Sequence, residues 1–319
     1  MKKFMKVCGI IVGIILVLGI ILLAIGSFGG GLKAVKSMVV NGELSFGSHK
    51  YINWDKEWVW NVDWDTYDLD EKSMFSSAYD VIRNEDTYQT SFRADEISSL
   101  NVELGGCKVI IEVSPDSDYH IFADKIGSFQ SYVSDGTLVV RALKTGEWVN
   151  WNVSTGMKVT IQIPKDTHFT SADLSLGAGI FSIGELSADN CEIEIGAGQV
   201  DFESLQVSAL KCLVGAGQMT IKNAVTTGDV RLEVGAGELI FKGSIPGDMK
   251  AECGIGNIEL TILNSTVNDH NYRMECMAGN LNAGGHVISG LAVDQDISNG
   301  ANSNYDLICV MGNLSVTFE

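Results

Sequence analysis

The triplet Gly-Ala-Gly recurs along this chain at almost constant spacing, and no other feature restricts the fold so tightly. It stands at residues 177–179, 196–198, 215–217 and 235–237, with the variant Gly-Ile-Gly at 254–256. The second glycines, Gly179, Gly198, Gly217, Gly237 and Gly256, are 19, 19, 20 and 19 residues apart. Two later copies around Gly279 and Gly312 lack the first glycine, and an earlier copy puts Cys107 at the reference position. A phosphate-binding glycine loop occurs once, between a strand and a helix. Here the turn repeats with strand-like sequence on both sides, and neither GxGxxG nor a Walker-type lysine loop is present. The triplet is a corner, not a nucleotide site.

Aligning the eight copies on the second glycine gives columns. Five and three residues before it, and two and four after it, all 32 positions are apolar, from Val102 in the first copy to Val316 in the last. A spacing of two within each arm is the period of a strand with one buried face. The step across the corner is odd, so a straight strand would turn its apolar set outward there. The sequence therefore predicts a bend, with glycine supplying positive φ and letting successive copies approach closely. A unit of this size cannot bury its own apolar face; stacking neighbours about 4.8 Å apart can. The predicted fold is all-β, a β-solenoid of stacked strand repeats of about 19 residues.

Ahead of the repeats, Val7 to Phe28 carries no charge over 22 residues. At 1.5 Å per residue it spans roughly 33 Å, enough to cross a bilayer core. Lys2, Lys3 and Lys6 precede it, which predicts residues 1–6 in the cytoplasm, an uncleaved transmembrane helix over 7–28, and the body outside the membrane. Five of the 22 basic residues and none of the 40 acidic ones lie in residues 1–36, so the rest carries a net −23. That body would repel nucleic acid and anionic lipid. Residues 29–94 read as a linker and 95–319 as the repeat domain.

The run ISSLNVELGGCKVIIEVSPDSDY (97–119), with GTLVVRA, VTIQIPKD and the train of corners, resembles a bacterial family of unknown function. In that family a β-strand-repeat domain, often behind one transmembrane helix, goes by the name of adhesin. The resemblance covers residues 95–319. It implies a cell-envelope location and brings no catalytic residues with it.

Three strand candidates, at 118–123, 137–142 and 157–163, are expected to begin the same domain and cap its first end. Asp135-Gly136 between two alternating runs signals a hairpin. The chain ends in LSVTFE, inside its last strand, so the C-terminal edge is expected to be open and able to self-associate. Residues 284–304 are expected to form a surface loop.

Candidate sites are few. Glu233, Glu252 and Glu275 lie four residues before the reference glycine in consecutive copies; stacked like charges must be solvated or bridged by a cation, so a weak calcium site is one reading. No other cofactor is expected. Trp54, Trp58, Trp60 and Trp64 stand among seven acids in residues 51–71, either as a linker or as a patch for a glycan or protein ligand. The same stretch fails the EF-hand pattern, with Asp68 where glycine is needed. Gln199, Gln218, Glu238, Asn257, Asn280 and Asn313 follow the reference glycine and should form corner ladders. Cys253, Cys276 and Cys309 occupy an inward column and are expected to be buried free thiols. No HExxH or GxSxG is present. The sequence points to a non-enzymatic, single-pass cell-envelope protein, an adhesin or binding scaffold. The alternative is a regulator of envelope stress or signalling that acts on a membrane partner.

Overall fold

The computed structural model describes residues 75–143 and 156–319, all within the second of two units, 62–319, into which the chain divides. The expected membrane span at 7–28 and the four tryptophans of residues 51–71 lie outside the described residues. No helix among the described residues is long and apolar enough to cross a membrane.

The described residues form a solenoid. Each coil has one strand before its corner and one after it. Strands before the corner pair in parallel with their counterparts in neighbouring coils, as Leu210–Val214 does with Val230–Val234. Strands after the corner do the same, as Gln218–Ile221 does with Glu238–Phe241. Two long strands, Gly179–Ile195 and Gln199–Val214, run through both faces and tie them together. All 32 aligned apolar side chains point inward, and none is more than 3% exposed. Leu186, Leu205 and Ala224 add a further buried column at the opposite bend, which the glycine alignment does not reveal. Apolar burial is the main stabilising term, at roughly 25 cal/mol per Å².

The corners work by close approach. A Cβ on Gly217 would lie 2.3 Å from the Gly198 carbonyl oxygen, and one on Gly237 2.2 Å from that of Gly217. Only Gly179 among the reference glycines has positive φ, at 136°. The expected positive-φ bend is therefore corrected at the other corners: glycine is required there because the neighbouring backbone occupies the space of a side chain.

The coils do not stack in chain order. Ser99–Gly105 lies between Thr137–Leu143 and Phe169–Leu176. At the other end, Ser303–Cys309 lies between Met249–Cys253 and His270–Cys276, and Asn313–Phe318 between Asn257–Ile262 and Asn280–Ala283. At the C-terminal end the chain overshoots by one coil and returns to fill the gap; at the first end it starts on Ser99–Gly105, moves outward to Thr137–Leu143 and then crosses to Phe169–Leu176 on the inner side. The expected open C-terminal edge is thus corrected over Asn313–Val316, which pair on both sides. Residues 284–304 are not a plain loop: His286–Ser289 and Val293–Ile297 pair antiparallel with the outermost coil and cover its end.

The first end is covered as the sequence predicts. Tyr119–Asp124 pairs antiparallel with Lys158–Ile163 and with Thr87–Phe92. The Asp135-Gly136 hairpin joins Ser128–Ser134 to Thr137–Leu143, with φ of 49° and 75° at the two turn residues.

Candidate functional site

Because strands alternate, the residues between the buried columns face water. Six before the reference glycine, on successive rungs, stand Asp173, Glu192, Lys211, Arg231, Lys250 and Asp306. Two residues earlier on the same rungs lies a polar column that includes Asn190, Asp229, Asp248 and Asn304. A groove of about 530 Å³ runs between these columns across six rungs, with buried Leu210, Val230 and Met249 in its floor. At strand spacing this is about 24 Å.

Its charges alternate in blocks. Lys211 pairs with Glu192 across neighbouring rungs, while Arg231 pairs with Glu233 along its own strand. Lys250 lies 2.5 Å from Glu252, and Arg273 2.6 Å from Glu275. Asn304 donates from its backbone to Asp248 at 2.8 Å, which fixes that wall. Burial raises the pKa of Asp306, opposed by the charges of Arg273 and Lys250, and Oδ1 of that residue is enclosed without a hydrogen bond. Burial also raises Asp173, helped by the charge of Glu192.

The glutamates of the expected calcium site are only partly brought together. Glu233 and Glu252 are in register on adjacent strands. Glu275 is one rung further off than chain order suggests, because Ile308 of the returning coil stands between it and Glu252. Each of the three has an arginine or lysine two residues before it on the same face, so the like-charge ladder is neutralised internally. Among the described residues, no group of three or more His, Cys, Asp or Glu is arranged to hold a metal ion. The cations Lys211, Arg231, Lys250 and Arg273 were legible in the sequence, six before Gly217, Gly237, Gly256 and Gly279, but the alignment of apolar positions passes over them.

The corner ladder forms in two pieces. Gln218 and Asn257 both donate to Glu238, at 2.5 and 3.2 Å, and Asn280 donates to Asn313 at 3.0 Å. Cys253, Cys309 and Cys276 are free and buried on three adjacent rungs, with Cys309 in the middle.

Residues 97–283 match the family model described as Toastrack DUF4097. No curated protein matches the chain. Among solved structures, a candidate cell adhesion protein from Clostridium sporogenes is 12% identical; the match covers 73% of this chain and 99% of that one, with a TM-score of 0.33. A candidate adhesin from Parabacteroides distasonis is 12% identical, with 75% and 99% coverage and a TM-score of 0.40. A candidate lipid binding protein from the same organism is 11% identical, with 74% and 98% coverage and a TM-score of 0.37.

Proposed function

The chain belongs to the Toastrack DUF4097 family, and from that premise we propose that it is a non-enzymatic binding scaffold of the bacterial cell envelope, an adhesin in the broad sense. Residues 7–28 hold it in the membrane, and the solenoid presents its outer face to a ligand. The observation that carries this reading is the groove along six rungs of a rigid strand stack. Rigid elements hold a recognition surface with little ordering cost on binding. A non-enzymatic role fits the histidines. His168 joins Ser187 and Asp189, and His120 joins Ser91 and Asp116, but both triples lie on the surface, where the aspartates are more than half exposed. Hydrolytic catalysis of that type needs an enclosed, preorganised site.

The test displays the full-length chain on cells and measures attachment to glycan-coated and protein-coated surfaces, beside cells that make a form without residues 1–36, which is expected to be released rather than displayed. Attachment that needs the displayed body supports the scaffold. Loss of attachment together with capture of one membrane protein through the anchor would favour the regulator instead.

A further inference from the structure

The column three residues before the reference glycine points inward. It holds Leu104, Leu176, Ile195, Val214 and Val234 in the other coils, and cysteine in each of the last three. The returning coil sets the order of these three. Cys309 is in register with Cys253 on one side and with Cys276 on the other. In-register neighbours are about 4.8 Å apart, inside the Cα range of about 4.4–6.8 Å that a disulfide spans. Cys253 and Cys276, though next to one another among the cysteines of the sequence, lie two rungs apart at roughly twice that spacing, out of reach of each other.

The sulfurs have a direction. A Cβ on Gly312, in the coil of Cys309, would stand 2.7 Å from the sulfur of Cys253; one on Gly279, in the coil of Cys276, would stand 2.7 Å from that of Cys309. Each sulfur thus leans toward the next coil outward, and Cys309 leans toward Cys276. Hydrogen bonding with Cys253 holds the Cys309 thiol below its ordinary pKa, against the effect of burial. The thiolate is the attacking form of a cysteine.

The ladder ends under a thin cover. Val293–Ile297 pairs antiparallel with His270–Cys276 and sets Val293 opposite Cys276. Val293 is partly buried and packs on the core, while Asp294, Gln295 and Asp296 of the same short strand are exposed. End strands with so little buried surface open locally at low free-energy cost. Burial raises the pKa of Cys276, so opening of this cover favours its thiolate.

We propose that Cys276 and Cys309 form a redox-active dithiol, oxidised by a low-molecular-weight disulfide that enters at the capped end of the stack. When Val293 lifts, the Cys276 thiolate attacks one sulfur of the donor. The donor S–S bond breaks, a bond from Cys276 to that sulfur forms, and the first donor thiolate leaves and takes up the proton that Cys276 lost. The Cys309 thiolate then attacks the Cys276 sulfur, forms the Cys276–Cys309 bond and expels the second donor thiolate, which takes up the proton from Cys309. The donor is reduced to two thiols and the two cysteines are oxidised to one disulfide.

The test incubates the full-length chain in detergent with oxidised glutathione, alkylates the remaining thiols, and identifies peptides by mass spectrometry without reductant. The expected result is a peptide pair joining positions 276 and 309 in the wild type and in Cys253→Ser, and none joining 253 and 276. In Cys309→Ser the second step is blocked, so glutathione should stay on Cys276, at an occupancy at least tenfold that of the buried Cys107, Cys191 and Cys212. Circular dichroism during the incubation checks that each chain keeps its strands. Cys309→Val, a side chain this column carries elsewhere, replaces the serine variant if that one does not fold. A folded wild type that gives no 276–309 peptide, or a 253–309 peptide in its place, overturns the proposal and leaves the three cysteines as apolar filling of the core. A folded position-309 variant whose Cys276 holds no more glutathione than Cys107, Cys191 or Cys212 overturns it as well, because oxidation would then not begin at the cap.

Discussion

Gly312 lies directly against Gly256, although 56 residues separate them: a Cβ on Gly312 would stand 2.1 Å from the Gly256 carbonyl oxygen. The contact joins the last corner of the chain to the fifth glycine corner and bypasses Gly279. It fixes the order of the coils and shows why the corner tolerates no side chain.

Gly256→Ala should therefore destabilise strongly. Its Cβ would meet the Gly237 carbonyl oxygen at 2.0 Å, and backbone on both sides is held by strand pairing. Overpacking of this sort costs about 1–3 kcal/mol, and here nothing flexible can yield. Gly184→Ala is the control, since its nearest neighbour is at an ordinary 3.6 Å. Urea unfolding should show a loss of at least about 2 kcal/mol for the first and much less for the second. Equal stability of the two would contradict the close-packed corner.

Removing residues 313–319 should unfold the C-terminal coils. The deletion takes away Leu314 and Val316, both at most 1% exposed, and strips paired backbone from coils on either side. Each such side chain is worth about 1.5–3 kcal/mol, a large share of a net stability of about 5–15 kcal/mol. Loss of amide-exchange protection in Asn257–Ile262 and Asn280–Ala283 is the expected outcome. A truncated chain that keeps this protection would show that the last strand is peripheral.

Much of this was legible in the sequence. Period-two alternation around each corner identified every member of the four buried columns, because a strand with one wet face leaves no other place for Ile193 or Phe241. Coil order was not legible. All copies bury the same kind of side chain, so the pattern at Leu307 and Cys309 suits any position in the stack. The trace that exists is in the gaps: 23 residues from Gly256 to Gly279 and 33 from Gly279 to Gly312 leave enough chain to skip a coil and come back. The groove was hidden for a different reason. Outward positions vary from copy to copy: Lys211, Arg231 and Lys250 each stand six before their glycine, but Asp173, Glu192 and Asp306 fill the same column in other copies, so no single chemistry marks it.

The glutamate column leads to a prediction about calcium. Arg231, Lys250 and Arg273 already neutralise Glu233, Glu252 and Glu275. Millimolar calcium should leave the Tm unchanged in both the wild type and Glu252→Gln. A rise seen in the wild type and lost in Glu252→Gln would restore the metal reading.

Acid should weaken the region around His270. Its ring stacks 4.0 Å from Tyr305, with Nδ1 bonded to Ser303 and Nε2 to Ser265. Burial holds its pKa below the usual value, opposed by the carboxylate of Asp269. The unfolded chain, with a histidine pKa of about 6.5, then binds the proton more readily than the folded one. Its contribution is intact above about pH 6.5 and is lost as pH falls toward the lower folded value. Burial raises the pKa of Glu252 and Asp306; these groups favour the folded state as pH falls through their raised values, in a window nearer the ordinary carboxylate range. Comparing wild type with His270→Gln isolates the histidine: the stability gap should narrow between pH 7 and 5. A gap that stays constant would mean that His270 does not titrate differently on folding.

The central claim is that identical apolar ribbons stack into one dry interior with the final coil inserted out of chain order, and cross-linking reads that order directly. Glu259 is in register with Ser315, and Ser315 with Asn282 on its other side. In-register neighbours meet the Cα spacing of about 4.4–6.8 Å that a disulfide needs, whereas strands two rungs apart do not. The pair Glu259→Cys with Ser315→Cys should give a cross-linked peptide joining positions 259 and 315 under mild oxidation. The pair Glu259→Cys with Asn282→Cys should give none. A cross-link between 259 and 282, with none between 259 and 315, would mean that the coils stack in chain order and that this account of the fold is wrong.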